Sequence, residues 1–135
     1  VAQMELLDEF VAAKRAIARR YHDALAEVPG IGIMGEAPWA SSVFWMYTVL
    51  VDAKEYGIGS RDLLSALSSH GIQTRPLWEP LHRSGAHRGS QAWRMEVADR
   101  LYAQALSLPC SVGLSAEQQA KVIQQMTTVF EASTR

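Results

Sequence analysis

The chain has 135 residues, 48% of them hydrophobic and 20% charged, which is the make-up of one ordinary globular domain and excludes disorder as its main state. Thirteen Lys and Arg against fourteen Asp and Glu give a formal net charge of -1, which argues against a dedicated nucleic-acid binder and leaves any anion site to a local cluster. A single cysteine, Cys110, excludes an internal disulfide or a paired-cysteine metal site, and no run approaches 18 apolar residues, so a reducing, cytoplasmic setting without membrane or nucleic-acid partners is expected.

In chain order, Met4, Leu7, Val11, Ile17, Tyr21, Leu25 and Val28 recur at spacings near three or four and predict one amphipathic helix over residues 4–28, ended by Pro29-Gly30. Residues 31–34 and 43–51, rich in β-branched and aromatic side chains, predict two paired strands around a turn-rich stretch. Residues 52–60 read as a loop. Ser60 is placed to cap a helix over 61–70 with Leu63, Leu64 and Leu67 on one face and Gly71 as its left-handed stop. A third strand is expected over 72–77, followed by a long loop over 78–91 broken by Pro80, Gly85 and Gly89. Residues 92–106 read as a helix with Trp93, Val97, Leu101 and Ala105 in a stripe, leading into a short edge segment at 108–110. Ser115 and Gln118 form a capping box for a final helix that buries Val122, Ile123, Met126, Val129 and Phe130. The fold class expected is α+β: a small, mostly antiparallel sheet with helices packed on one face, in a single domain over residues 1–135.

Three motifs carry less than they promise. Gly30-Ile-Gly32-Ile-Met-Gly35 matches the dinucleotide-binding string, but a helix precedes it and none follows, so the helix dipole that would hold a pyrophosphate is missing. The four histidines include no metal-ligand spacing, His22 and His70 lie where a helix explains them, and Cys110 reads as a small buried hydrophobe. What stands out is charge. From residue 63 to 95 the only acid is Glu79, while Arg75, Arg83, Arg88 and Arg94 occur with His70, His82 and His87. Guanidinium forks suit phosphate or carboxylate oxygens, and the competing reading is a solvated loop. Trp78 and Trp93 suit stacking on a base or sugar, or equally a place in the core.

The ordered set Gly71-Ile-Gln-Thr-Arg75-Pro-Leu-Trp78-Glu-Pro80-Leu-His82, Val97-Ala-Asp-Arg-Leu-Tyr, Leu106-Ser-Leu-Pro109-Cys-Ser and Leu114-Ser resembles the C-terminal small domain of the DegT/DnrJ/StrS aminotransferases, which are pyridoxal-phosphate enzymes acting on nucleotide-linked sugars. Residues 2–8, Arg15 and residues 18–21 are similar to that family's domain-linking helix, and the match spans nearly the whole chain. The Thr74-Arg75-Pro76-Leu77-Trp78 form looks most like members on routes to perosamine or legionaminic-type sugars. The resemblance implies the small domain of the type I aminotransferase fold. It implies a large domain before Val1 that carries the cofactor lysine, its pyridine-nitrogen acid and the phosphate turn.

None of Lys14, Lys54 and Lys121 matches that lysine's context, so no cofactor is expected in this chain itself, although the full-length family uses pyridoxal phosphate. By position the resemblance assigns substrate binding to Arg75, Trp78 and His82. The basic cluster adds Arg83, His87 and Arg88 as further contacts for a nucleotide-sugar or other phosphorylated anion, with His82 expected as a hydrogen-bond donor. Residues 83–89 depart from the family's aromatic-containing continuation, which leaves the sugar open. The expectation is a truncated or separately encoded small domain, inactive alone, that pairs with the missing large domain or with a second copy through an apolar patch at Met4, Leu7, Phe10 and Val11. The alternative is a stand-alone binding or interaction module derived from such a domain.

Overall fold

The computed structural model describes residues 2–134. The first amphipathic stretch forms two helices, α1 (Ala2–Glu5) and α2 (Leu7–Leu25), because Leu6 leaves helical geometry at φ -105° and ψ 9°. Only the second half of the apolar stripe reaches the core, through Ile17, Ala18, Tyr21 and Leu25. Met4 stays 70% exposed, and Phe10 and Val11 are half-buried.

Strands β1 (Ile31–Ile33) and β2 (Tyr47–Val51) pair antiparallel as expected, with Ile31 opposite Val51. The second strand starts later than residue 43 because Phe44 takes a left-handed backbone at φ 44°, which breaks the extended chain. No helix follows Gly35, so the glycine string belongs to a strand and its turns, as expected.

Two local expectations need correction. The stretch 52–60 is not all loop: Asp52 accepts from the Lys54 N–H and caps the short helix α3 (Ala53–Tyr56), which Gly57 ends at φ 94°. The following helix α4 (Ser60–Ser69) begins with Ser60 inside it and Gly59 at the cap position. Ser60 does not cap; its hydroxyl is buried and donates to the carbonyl of Ala103 at 2.6 Å, a long-range bond that outcompetes the local one. Gly71 does supply the left-handed stop, and His70 Nδ1 sits 2.9 Å from the carbonyl of Ala66 at the helix end.

Strand β3 (Arg75–Pro76) is shorter than the expected 72–77, since Pro76 has no N–H to extend a ladder. The largest correction lies at residues 92–110. Helix α5 (Glu96–Gln104) stops at Gln104, and the next four residues form β4 (Ala105–Leu108), buried throughout. The order β1-β2-β4-β3 places β4 inside the sheet between β2 and β3, paired antiparallel with both, rather than at an edge. A short apolar run carries no periodicity that separates a helix end from a buried strand; two flanking ladders decide it.

Tyr47, Val49, Leu106 and Leu108 line one sheet face and meet Tyr21 and Leu25 of α2, Leu63 and Leu67 of α4, and Val122 and Met126 of α6 (Ala116–Ser133). This is the expected α+β class, a four-stranded antiparallel sheet backed by helices. The capping box of Ser115 and Gln118 is present in both directions. Gln119, with no exposed surface, bridges two helices by donating to the carbonyl of Ile17 at 2.7 Å and accepting from Arg20 at 2.8 Å. Among the described residues no helix is long and apolar enough to cross a membrane.

Candidate functional site

At the sheet edge Arg75 pairs across to Ser107, which in turn faces Thr48, their hydroxyls 2.9 Å apart. Directly paired residues point to the same side, so this polar row lies on the face opposite the helical core. Arg75 itself is exposed.

Three residues on, Trp78 leaves the edge and stacks on Trp45 from the β1–β2 connection, ring centroids 5.9 Å apart and planes 13° from parallel. Both rings are largely open, at 65% and 69% exposure, so the core reading of Trp78 falls away. Trp93 is likewise 73% exposed and lies ahead of α5, with the guanidinium of Arg94 over its ring; the expected stripe is not buried within α5 either, since the helix has no fully buried residue and Val97 is exposed.

The platform is anchored from α2. Lys14 Nζ donates to the carbonyl of Trp45 at 2.7 Å and to that of Cys110, whose half-buried thiol also reaches the Trp45 carbonyl at 3.6 Å. One turn of reach further along the connection, Arg15 grips both oxygens of Glu36 at 2.9 and 3.0 Å, donates to the carbonyl of Ser42 at 2.6 Å, and lies over the Phe44 ring. Glu36 accepts from the backbone N–H of Ser42 as well. Hydrogen bonds from Arg15 and Ser42 hold the Glu36 carboxyl below its ordinary value. A carboxyl whose value is lowered on folding favours the fold at pH above the ordinary glutamate range, and that contribution is lost as pH falls through the lowered value. We therefore expect tryptophan emission to report loosening of the 34–46 connection on acidification, with a midpoint below that of an ordinary glutamate. Glu36→Gln should abolish this step, and an unchanged step in that variant would assign it to another group.

His82 and Arg83 lie in a 3-10 turn (Leu81–Arg83) and converge on one carboxylate oxygen: Asp99 Oδ1 is 2.9 Å from His82 Nε2 and 2.6 Å from Arg83 Nε. Desolvation alone would raise the Asp99 carboxyl, but the hydrogen bonds from Arg83 and His82 outweigh it and hold the group below the usual carboxylate range. The Arg83 guanidinium also lies over the Tyr102 ring at 5.6 Å, as does Arg61 at 4.9 Å. Asp99 and Tyr102, three apart, share one side of α5 and together hold the loop.

One of the expected anion contacts is engaged within the chain. Arg83 is committed to Asp99. His87, ending a second 3-10 turn (Gly85–His87), and Arg88 are exposed with no side-chain hydrogen bond among the described residues, and Arg75 likewise has none. Asp99 was legible only as part of the Val97–Tyr102 string, and Trp45 only as part of a strand; neither carried a local sign of its role.

The lysines do not fit pyridoxal phosphate. Attachment requires an amine that can lose its proton in an enclosed site. Lys14 Nζ is taken up by two carbonyls, and Lys54 and Lys121 are exposed on helices. Among the described residues no group of three or more His, Cys, Asp and Glu side chains is placed to hold a metal ion.

Residues 1–127 match the model of the DegT/DnrJ/EryC1/StrS aminotransferase family. EpsN of Bacillus subtilis, which carries the name of a pyridoxal phosphate-dependent aminotransferase, is 30% identical over 134 residues, 96% of this chain and 34% of EpsN. A GDP-perosamine synthase of Caulobacter vibrioides is 28% identical over 138 residues, 96% of this chain and 35% of the synthase. Among solved structures, the aminotransferase TlmJ of Streptoalloteichus hindustanus superposes with a TM-score of 0.85 at 28% identity, over 97% of this chain and 34% of TlmJ. The chain thus spans about one third of the length of the relatives it matches.

Proposed function

The chain belongs to the DegT/DnrJ/EryC1/StrS aminotransferase family, and from that premise we propose that it serves as the small domain of a sugar aminotransferase. In this role it contributes one wall of a nucleotide-sugar pocket and a surface to a dimer, and it is not catalytic alone. The observation that carries the reading is the open Trp45–Trp78 stack beside a sheet edge that presents Arg75. Stacked indoles offer a flat apolar surface to a base or sugar ring, and an uncommitted guanidinium suits a diphosphate.

Pyridoxal phosphate supplies the electron sink for amino transfer when bound. Since no lysine of this chain fits it, the cofactor belongs in this reading to a partner domain that covers the exposed apolar residues Met4, Leu7 and Trp39. Arg75, Trp78, His82, His87 and Arg88 face the substrate. Arg83 acts through Asp99 by fixing the turn.

Titrating the chain with GDP-mannose while following amide shifts tests the proposal. One or two charge-assisted contacts set against loop ordering lead us to expect a Kd of about 1 mM, weakened by salt. Arg75→Ala and Trp78→Ala should each weaken binding by roughly fivefold or more. Shifts scattered over the surface, or binding indifferent to both substitutions, would reduce the cluster to a solvated loop.

A further inference from the structure

The sharpest geometry in the loop is the meeting of His82, Arg83 and Asp99, and it bears on which atom of the ring is left for a ligand. A neutral imidazole has one N–H donor and one bare nitrogen acceptor, and the partner of the first nitrogen decides the role of the second. His82 Nε2 faces Asp99 Oδ1 at 2.9 Å. That same oxygen accepts from Arg83 Nε at 2.6 Å, so it is a carboxylate oxygen serving as acceptor to both.

We infer that Asp99 is a positioning residue that fixes His82 as the Nε2–H form and leaves its Nδ1 as a hydrogen-bond acceptor for a hydroxyl of the bound sugar. The inference rests on the pocket reading above and deepens it by reversing the polarity expected of His82. An Nε2–H committed to a carboxylate cannot also donate to a phosphate. Nδ1 has no partner among the described residues, and the side chain keeps 20% of its surface open. An acceptor there repels diphosphate oxygens and attracts an O–H donor, which places His82 against the hexose and leaves the diphosphate to Arg75, His87 and Arg88. Arg83 locks the arrangement from the far side: it holds the shared oxygen in place and is itself seated over Tyr102. Asp99 touches no ligand in this arrangement.

Two measurements test it, one without ligand. In histidine-labelled chain near neutral pH, nitrogen-detected spectra should show His82 with a protonated Nε2, a bare Nδ1 and a slowly exchanging imidazole proton. Asp99→Ala should abolish the slow proton. Asp99→Asn, whose amide oxygen still accepts, should retain much of it. Asp99 and His82 are only half-buried and lie outside the hydrophobic core, so these substitutions remove no core packing and leave the fold available for the second measurement.

That measurement compares GDP-mannose with GDP alone. His82→Ala should weaken GDP-mannose by roughly threefold to tenfold, the loss of one hydrogen bond, and leave GDP within about twofold. Asp99→Ala should reproduce that selective loss. An Nδ1–H form in the unligated chain, or equal weakening of both probes by His82→Ala, would overturn the inference while leaving the pocket standing. Failure of both probes to bind would instead overturn the pocket reading, and the ligand assigned to His82 with it.

Discussion

Gly30→Ala is expected to destabilise the fold by about 2–5 kcal/mol, the sum of a left-handed strain and an overpacking term. Gly30 holds φ +75° between α2 and β1, a region that costs an L side chain free energy whatever surrounds it. Space is also absent. A Cβ there would stand 2.4 Å from the backbone nitrogen of Tyr56 and 2.9 Å from its Cα. Tyr56 cannot retreat, because its hydroxyl donates to the Met126 carbonyl at 2.6 Å and its own carbonyl accepts from Ser133 at 2.7 Å. The Gly30 carbonyl accepts from the Asp52 N–H at 2.8 Å, so the strain passes into the start of α3 as well. Against a total stability of roughly 5–15 kcal/mol the loss is large. Urea unfolding of the variant beside Gly113→Ala, where a Cβ meets nothing within 4 Å, measures it. A difference below about 1 kcal/mol between the two would show that the β1 turn repacks freely.

Leu106→Ala comes second, with an expected loss of about 2–5 kcal/mol. Leu106 has no exposed surface and sits in β4 with Val49 opposite on one side and Pro76 on the other, so its side chain is walled by two strands and the helical layer. Strand β3, only two residues long, has β4 as its sole neighbour in the sheet. A cavity at Leu106 therefore loosens the edge that presents Arg75. The midpoint of urea unfolding should fall without a change in slope, and Leu81→Ala, at a largely exposed position, should stay within about 0.5 kcal/mol. If Leu106→Ala were as mild as Leu81→Ala, β4 would not be the sheet's centre. The same coupling links core packing to the candidate site, since Arg75 lies in the strand that β4 supports and Trp78 follows it.

Several features were legible in the amino-acid sequence because their causes are local. The capping box of Ser115 and Gln118 needs only four consecutive residues, the Gly71 stop only a missing Cβ, and the paired strands around residues 35–42 only alternation and turn chemistry. Family membership was legible for a different reason: an ordered set of short strings spread over the whole chain. Tertiary structure alone decided the rest. Ala105-Leu-Ser-Leu108 continues a helical pattern and becomes a central strand only because β2 and β3 flank it. Ser60 looks like a cap until its hydroxyl donates to the carbonyl of Ala103, 43 positions away. Gln119 reads as a polar residue on a helix and is fully buried because the carbonyl of Ile17 and the guanidinium of Arg20 satisfy both ends of its amide. Trp45 met Trp78, and Asp99 met His82 and Arg83, through contacts spanning 33, 17 and 16 positions. A one-dimensional pattern records what a residue does to its neighbours within a turn or two. Which distant partner satisfies a buried donor, or shares a carboxylate, is set by how the packed elements bring chain-distant groups to the same point.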